Sequence, residues 1–265
     1  MKKRILFPVL IVLAVLLIGL LVFTMIRCSK KSTDNNESTP AQEPDMTPGS
    51  LINGELKTGN VVRFGSYEQD NDEANGKETV EWIVIAESDG KALLLSRYAL
   101  DCHPYNDGFS QTDWGSCTLR AWLNSDFYDA AFCDAEKRQI LSETLVNADN
   151  PEYGTKGGPD TADRVFILSL EDAVNAGYGF ASDPAENDTT RQCKPTAYAL
   201  AKKCLTGDDY ISGFDDNCRW WLRTPGFDSD VALVVSVAGT VKISGGFSVS
   251  GSVIAVRPAI WVASK

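Results

Sequence analysis

The sequence predicts an α+β fold in which helices pack on a mostly antiparallel sheet. Short apolar runs rich in valine and isoleucine come first, apolar residues at helical spacing occupy the middle, and valine-rich runs separated by glycines return near the end. Strands followed by helices and then by strands again are typical of α+β domains. An apolar content of 43% is typical of a globular protein.

The first strands are expected at residues 61–64, 80–86 and 92–95, where β-branched and aromatic residues are concentrated. The segment between the first two is acidic and contains glycine. It resembles a calcium loop only loosely, because Ala74 and Asn75 occupy the fifth and sixth positions counted from Asp70, where an EF-hand has an oxygen ligand and a glycine. We therefore expect a plain hairpin loop there.

The middle section has the periodicity of helices. Four apolar side chains should share one helical face, and a strand over residues 164–168 should follow. Three further helices are indicated by a cap residue, by a Ser169–Asp172 capping box and by a proline in the first turn. The apolar residues are Leu119, Trp122, Leu123 and Phe127, and the predicted start residues of the four helices are Ser116, Asp134, Ser169 and Pro195.

Residues after 218 are predicted to form an antiparallel meander with tight glycine turns. Its first strand lies in the stretch NCRWWLRTPG, residues 217–226. Because side chains alternate faces along a strand, Trp220 should be core, whereas Trp221 and Arg223 should share the other, half-exposed face. Two interpretations remain open: a structural role for the whole stretch, or a contribution of Trp221 and Arg223 to a binding surface.

The N-terminus predicts a membrane anchor. Residues 5–26 contain 22 uncharged, mostly apolar residues, which as a helix at ~1.5 Å per residue would cross the ~30 Å hydrocarbon core. A cleaved signal peptide and a lipoprotein modified at Cys28 are the alternatives, but the stretch is long and Arg27 is not small. We expect a cytoplasmic tail (1–4), a transmembrane signal-anchor helix (5–26), a disordered linker (27–50) and an extracytoplasmic domain (51–265) at the cell membrane.

The charge of the predicted domain limits its partners. Six of the 25 basic residues lie in the first 31 positions, and no acid precedes Asp34. The rest of the chain therefore holds 19 basic against 36 acidic residues. Such a domain repels nucleic acid and anionic lipid, so its partners should be neutral, cationic or bridged by a metal ion.

Six cysteines follow Cys28, and none lies in a C-x-x-C pair. In an oxidising compartment an even number indicates disulfides. We favour the pairs Cys102–Cys117 and Cys193–Cys218, which would leave Cys133 with Cys204; reduced, buried thiols are the alternative. The single histidine, His103, and the lack of a nucleophile elbow or P-loop give no support for a common hydrolase or nucleotide-binding site.

Several stretches in order carry a family resemblance: VVRFGSYEQ, EWIVIA, LLLSRYALDCHPYN, CTLRAWLNSDFYDAAF, DRVFILS, RQCKPTAYA, CRWWLRTPG and AVRPAIWV. Together they resemble a large family of bacterial surface domains known only as a domain of unknown function. The last part is also similar to C-type-lectin-like domains of the formylglycine-generating-enzyme and retroelement-diversified kinds. This resemblance implies a lectin-like fold in which the first and last strands pair.

The resemblance also implies a binding face built from loops around the WWLR strand. The candidates for ligand binding are Trp221, Arg223, Phe227, Asp228, Asp230 and Phe247. The calcium-dependent sugar motifs of true lectins are missing, so no cofactor is expected, with calcium left open. We predict non-catalytic recognition of a surface protein or glycan; the alternatives are a cysteine-dependent oxidase of the formylglycine-generating type and a purely structural envelope module.

Overall fold

A computed structural model describes residues 51–207 and 212–264 of the chain. The predicted cytoplasmic tail, transmembrane helix and linker, together with Cys28, lie outside these ranges. Among the helices in the described ranges, none is long and apolar enough to cross a membrane.

The α+β class is confirmed: two five-stranded sheets, mostly antiparallel, are accompanied by short helices and a small hairpin. The first sheet has the order β1-β2-β3-β12-β7, the second has the order β10-β9-β8-β11-β4, and β5 pairs with β6. The strands are β1 (Val61–Tyr67), β2 (Glu78–Ser88), β3 (Lys91–Ser96), β4 (Asp101–Cys102), β5 (Glu143–Leu145), β6 (Thr161–Asp163), β7 (Val165–Phe166), β8 (Trp220–Pro225), β9 (Val231–Val235), β10 (Phe247–Ser248), β11 (Ala255–Val256) and β12 (Ala259–Ala263).

The first sheet begins with the three strands predicted at residues 61–64, 80–86 and 92–95. Buried and exposed residues largely alternate along β1 and β2, so one face of this sheet packs on the core. Trp82 in β2 is fully buried, and its Nε1 donates a hydrogen bond to the carbonyl oxygen of Phe64 at 2.7 Å. One cluster of buried side chains includes residues of both five-stranded sheets. The two sheets therefore share a single core.

The predicted lectin-like architecture is wrong for this chain, because the first and last strands are not neighbours. β1 lies at the edge beside β2, whereas β12 pairs with β3 and β7. The last apolar run is also not one strand: Ala255–Val256 belongs to the second sheet and Ala259–Ala263 to the first. The chain changes sheets at Arg257 and Pro258, since proline has no N–H for a ladder and the Arg257 Nε donates to the carbonyl oxygen of Ser96 at 3.0 Å.

The helices are shorter than predicted. The first predicted helix is interrupted by a π-helical turn (Leu123–Phe127), and its N-cap is Cys117 instead of Ser116. The second ends by Arg138 and is capped by Cys133 instead of Asp134. The Ser169–Asp172 capping box is confirmed. The helices are α1 (Thr118–Trp122), α2 (Tyr128–Ala131), α3 (Asp134–Lys137), α4 (Leu170–Ala173) and α5 (Ala197–Ala201).

Candidate functional site

Both tryptophans of the WWLR strand are fully buried. All six residues of β8 are buried, so both faces of the strand are covered and the expected half-exposed position of Trp221 does not occur. The Nε1 of Trp221 donates to the carbonyl oxygen of His103 at 2.9 Å, and the Tyr105 ring packs edge-on at 5.7 Å. Trp221 is therefore a core side chain with a satisfied polar atom.

Arg223 joins the end of β8 to the start of α4. Its Nη1 donates to the carbonyl oxygen of Ile167 at 3.0 Å and to Asp172 Oδ2 at 2.8 Å, and the side chain is 7% exposed. The next residue, Thr224, accepts the backbone N–H of Leu170 at 2.9 Å. These bonds fix α4 against the C-terminal end of β8, which is the side of the molecule that carries the exposed candidates.

The exposed candidates lie on the turn after β8 and on β10. Phe227 is 50% exposed, and Asp228 and Asp230 are exposed in the same turn. Phe247 is 37% exposed and its ring lies 5.3 Å from the guanidinium carbon of Arg219. The turn is therefore a surface that presents aromatic and acidic side chains together.

Phe227 has an aromatic neighbour that the sequence analysis missed. The ring of Tyr153, itself 52% exposed, meets the Phe227 ring edge-on at a centroid distance of 6.4 Å. Large apolar side chains gathered on a surface are more informative than scattered ones, because such patches mark binding sites. We call these two residues the Tyr153–Phe227 pair.

Asn150 holds the Tyr153 loop against the β8–β9 turn. Its Nδ2 donates to the carbonyl oxygens of Pro225 at 3.0 Å and Ile243 at 3.2 Å, while its Oδ1 accepts the N–H of Glu152 and Tyr153 at 2.9 and 3.0 Å. The residue is 1% exposed. One buried amide thus satisfies four backbone groups from three segments and fixes the position of the aromatic pair.

An apolar cavity of about 280 Å³ lies beside Asn150. Asp149 and Pro151, its two neighbours in sequence, contribute to the wall, and so does Ile243, whose carbonyl oxygen Asn150 binds. We call this space the Leu170 cavity. Its apolar lining comes mainly from Pro151, Leu170, Val174, Pro184 and Ile243.

Two carboxylates, Asp149 and Glu171, line the same cavity and are exposed to solvent. The pKa of Asp149 lies below its ordinary value because the Lys156 Nζ at 2.6 Å and the N–H of Gly157 at 3.1 Å stabilise the charged form. At neutral pH Asp149 is therefore ionised. An apolar space bordered by negative charge suits an apolar group that carries a cation nearby.

The six described cysteines are free thiols in this structure. The favoured Cys102–Cys117 pair is not joined in this structure: Cys117 caps α1 through a 3.4 Å contact from Arg120 N–H, whereas the Cys102 thiol contacts Cys204. Cys193 and Cys218 do contact each other, but they are not joined by a disulfide. Cys133 caps α3 and is half-buried.

The acidic loop between β1 and β2 gathers three carboxylates. Glu68, Asp70 and Glu78 each place an oxygen within 4.8 Å of the others. Backbone N–H groups of the loop already bind them, including that of Gln69 to Glu78 at 2.7 Å and that of Asp72 to Glu68 at 3.0 Å. Burial and the charge of Glu78 raise the pKa of Glu68. The geometry is that of a hairpin loop stabilised by its own acids.

A family model described as "Domain of unknown function (DUF6273)" matches residues 89–264 of the chain. The matched part begins just before β3 and includes the second sheet, the Tyr153–Phe227 pair and the Leu170 cavity. No curated protein matches the chain, and no solved structure matches it either.

Proposed function

Because this chain belongs to the DUF6273 family, whose description assigns no activity, we propose a function from the site itself: non-catalytic recognition of a protein partner. The observation that carries this proposal is the exposed Tyr153–Phe227 pair on the two loops that also supply Pro151 and Thr224 to the wall of the Leu170 cavity. Aromatic side chains at a surface cleft are the usual anchors of protein recognition. No cofactor is part of the proposal.

The partner we propose is a protein segment with an aliphatic side chain next to a basic residue. The aliphatic group would enter the apolar cavity, and the cation would lie near Glu171 at its border, since Asp149 already pairs with Lys156. The excess of acids in the chain after residue 31 attracts such a segment over longer distances. A glycan fits less well, since six of the nine lining side chains are apolar and offer no hydrogen bonds to sugar hydroxyls.

The site would act outside the cell. Residues 5–26 have the length and composition of a membrane-spanning signal anchor, and residues 27–50 those of a flexible linker. In this proposal the anchor holds the domain at the cell membrane, on the extracytoplasmic side. Deleting residues 5–26 should move the protein from the membrane fraction to the soluble fraction, and retention in the membrane would contradict the proposed anchor.

The burial of the thiols favours binding over the alternative of a cysteine-dependent oxidase. Such an enzyme needs a reactive cysteine that its substrate can reach. Cys102, Cys193, Cys204 and Cys218 are each at most 7% exposed. A purely structural module is the other alternative. If the domain had only that role, no ligand would bind saturably at the Leu170 cavity.

The proposal is tested by calorimetric titration of the purified full chain with four probes. These are a synthetic peptide with a leucine between two lysines, the same peptide with glutamates in place of lysines, the same peptide with serine in place of leucine, and a chitin oligosaccharide. We expect saturable binding of the first peptide and at least tenfold weaker binding of the other three probes. Failure of the first peptide to bind, or equal or tighter binding of any other probe, would contradict the proposal.

A further inference from the structure

Four cysteines that lie far apart in sequence meet inside the domain. Cys102 ends β4, Cys204 follows α5, and Cys218 precedes β8, while Cys193 lies in the loop before α5. All four are buried, with exposures between 0% and 7%. The two remaining described cysteines, Cys117 and Cys133, cap helices elsewhere.

Backbone hydrogen bonds fix the positions of these four residues. The N–H of Cys218 donates to the carbonyl oxygen of Cys193 at 2.9 Å, and Cys218 forms an antiparallel bridge with Thr206, two residues beyond Cys204. Cys102 lies opposite Ala255 in the same sheet, and its Sγ donates to the carbonyl oxygen of Ser252 at 3.2 Å. The second sheet therefore brings the four side chains together independently of any bond between sulfurs.

The four thiols contact one another in a fixed order. Cys204 contacts Cys102 on one side and Cys218 on the other, and Cys218 also contacts Cys193. We call this set the thiol row, in the order Cys102, Cys204, Cys218, Cys193. Only one set of contacts pairs all four thiols at once: Cys102 with Cys204, and Cys218 with Cys193. A Cys204–Cys218 pair would leave Cys102 and Cys193 without a neighbouring thiol.

We propose that the thiol row is a site of oxidative modification that forms two disulfides, Cys102–Cys204 and Cys193–Cys218, when the chain folds in an oxidising compartment. The first bond replaces the Cys102–Cys117 pair expected from the sequence. Because the folded thiols are buried, the oxidant must react before the second sheet has closed.

A small disulfide such as oxidised glutathione can supply the oxidation. The thiolate of Cys204 attacks one glutathione sulfur, a mixed disulfide forms, and one glutathione thiol leaves. The thiolate of Cys102 then attacks the Cys204 sulfur and releases the second glutathione thiol. Each protein disulfide thus uses one glutathione disulfide, and two thiol protons are transferred to the two glutathione thiols.

The geometry favours disulfides over a metal. Tetrahedral zinc binds sulfur at ~2.3 Å, which would place all four sulfurs within about 4 Å of one another. Among the described residues, however, no three of these sulfurs lie within 4.8 Å of one another. A row with successive contacts suits pairwise bonds better than a shared ion.

The test uses the full chain with Cys28 replaced by serine, so that the six described cysteines are the only thiols. The reduced protein is unfolded and refolded with a mixture of oxidised and reduced glutathione, alkylated, and mapped by mass spectrometry of non-reduced peptides. We expect links Cys102–Cys204 and Cys193–Cys218, with Cys117 and Cys133 alkylated. Cys117→Ser and Cys133→Ser are the matched controls and should leave both links unchanged.

Two variants separate the two bonds. Cys102→Ser and Cys204→Ser should each remove the first link and retain Cys193–Cys218, and the double variant should give the same map as either single one. The proposal is overturned by a link that includes Cys117, by a Cys204–Cys218 link in the parent protein, or by six alkylated thiols after refolding. Refolding with zinc alone that protects all four thiols with one bound ion would overturn it as well.

Discussion

The side-chain amide of Asn150 donates a hydrogen bond to the carbonyl oxygen of Pro225 at 3.0 Å, joining two loops that are 75 residues apart in sequence. Tyr153 follows the first of these residues closely, and Phe227 follows the second. The contact therefore helps to hold the two exposed rings together, on loops that also supply Pro151 and Thr224 to the wall of the Leu170 cavity. Binding and local stability should depend on the same amide.

Replacement of Asn150 by alanine should destabilise the domain by roughly 2–4 kcal/mol. The substitution leaves buried backbone groups of several segments without partners, and each such group costs about 1–3 kcal/mol, partly relieved by water. The measurement is urea unfolding of the variant and of the parent. The matched control is Asn187→Ala, an exposed asparagine, which should change the free energy of unfolding by less than about 0.5 kcal/mol. Equal effects at the two positions would contradict the role given to Asn150.

Alanine at Phe227 or at Tyr153 should weaken binding of the lysine–leucine peptide by about 1–2 kcal/mol, or roughly five- to thirtyfold. Both side chains are about half exposed, so the free energy of unfolding should change little. Calorimetric titration measures the first effect and urea unfolding the second. Leu200→Ala is the control because Leu200 is 46% exposed on α5. If Leu200→Ala lost as much affinity for the peptide as Phe227→Ala does, the proposed role of the Tyr153–Phe227 pair in binding would be contradicted.

Asp188 should make the stability of the domain depend on acid pH. Burial raises its pKa, but hydrogen bonds from Thr190 and from the N–H of Ala181, together with the charge of Arg191, outweigh burial and hold the pKa below its ordinary value of 3.8. A depressed folded-state pKa contributes stability above the unfolded-state pKa, and this stability is lost as the pH falls through the folded value.

Asp188→Asn should therefore lower the free energy of unfolding at pH 7 by about 3 kcal/mol, since the fully buried Arg191 loses its charge partner. The difference between variant and parent should shrink as the pH falls below about 4. Thermal unfolding at several pH values measures both effects. A difference that stays constant from pH 7 to pH 3 would refute the role of the Asp188 charge.

Gly239→Ala should destabilise the domain more than Gly59→Ala. Both glycines have positive φ, +84° and +90°, so backbone strain of about 1 kcal/mol is common to both variants. At Gly239 a Cβ atom would also overlap the carbonyl oxygen of Asp188, whereas at Gly59 it meets nothing within 4 Å. Chemical unfolding of the two variants should differ by more than 1 kcal/mol, and similar values would indicate that the loop at Gly239 moves freely.

The strands of the meanders could be predicted from sequence because their signal is local. β1, β2 and β3 each combine β-branched residues with an alternating or continuous apolar pattern. The path of the last strands could not, since Arg257 and Pro258 divide one apolar run between two sheets. The burial of Trp221 was missed for a different reason: the alternation of side chains predicts a half-exposed residue only where one face of a strand meets solvent, and β8 is covered on both faces.

Only some residues of the candidate site could be predicted from the sequence. Phe227, Asp228 and Asp230 were candidates because of the resemblance to lectin-like domains, and they do lie at the surface. Tyr153 and Asn150 carry no such signal, because their importance comes from contacts across 74 and 75 residues of sequence, to Phe227 and Pro225. A polar residue such as Asn150 in a loop of proline and glycine is typical of an ordinary turn; only its burial at 1% exposure distinguishes it.

The central claim, that the Leu170 cavity receives a partner's aliphatic side chain, is tested most directly by methyl NMR of the full chain during titration with the lysine–leucine peptide. We predict saturable shifts of the methyl groups of Leu170, Val174 and Ile243, which line the cavity, and no shift of those of Leu93 and Leu94 in the core of the first sheet. Unchanged cavity methyls at saturating peptide, or shifts confined to other parts of the domain, would contradict the account.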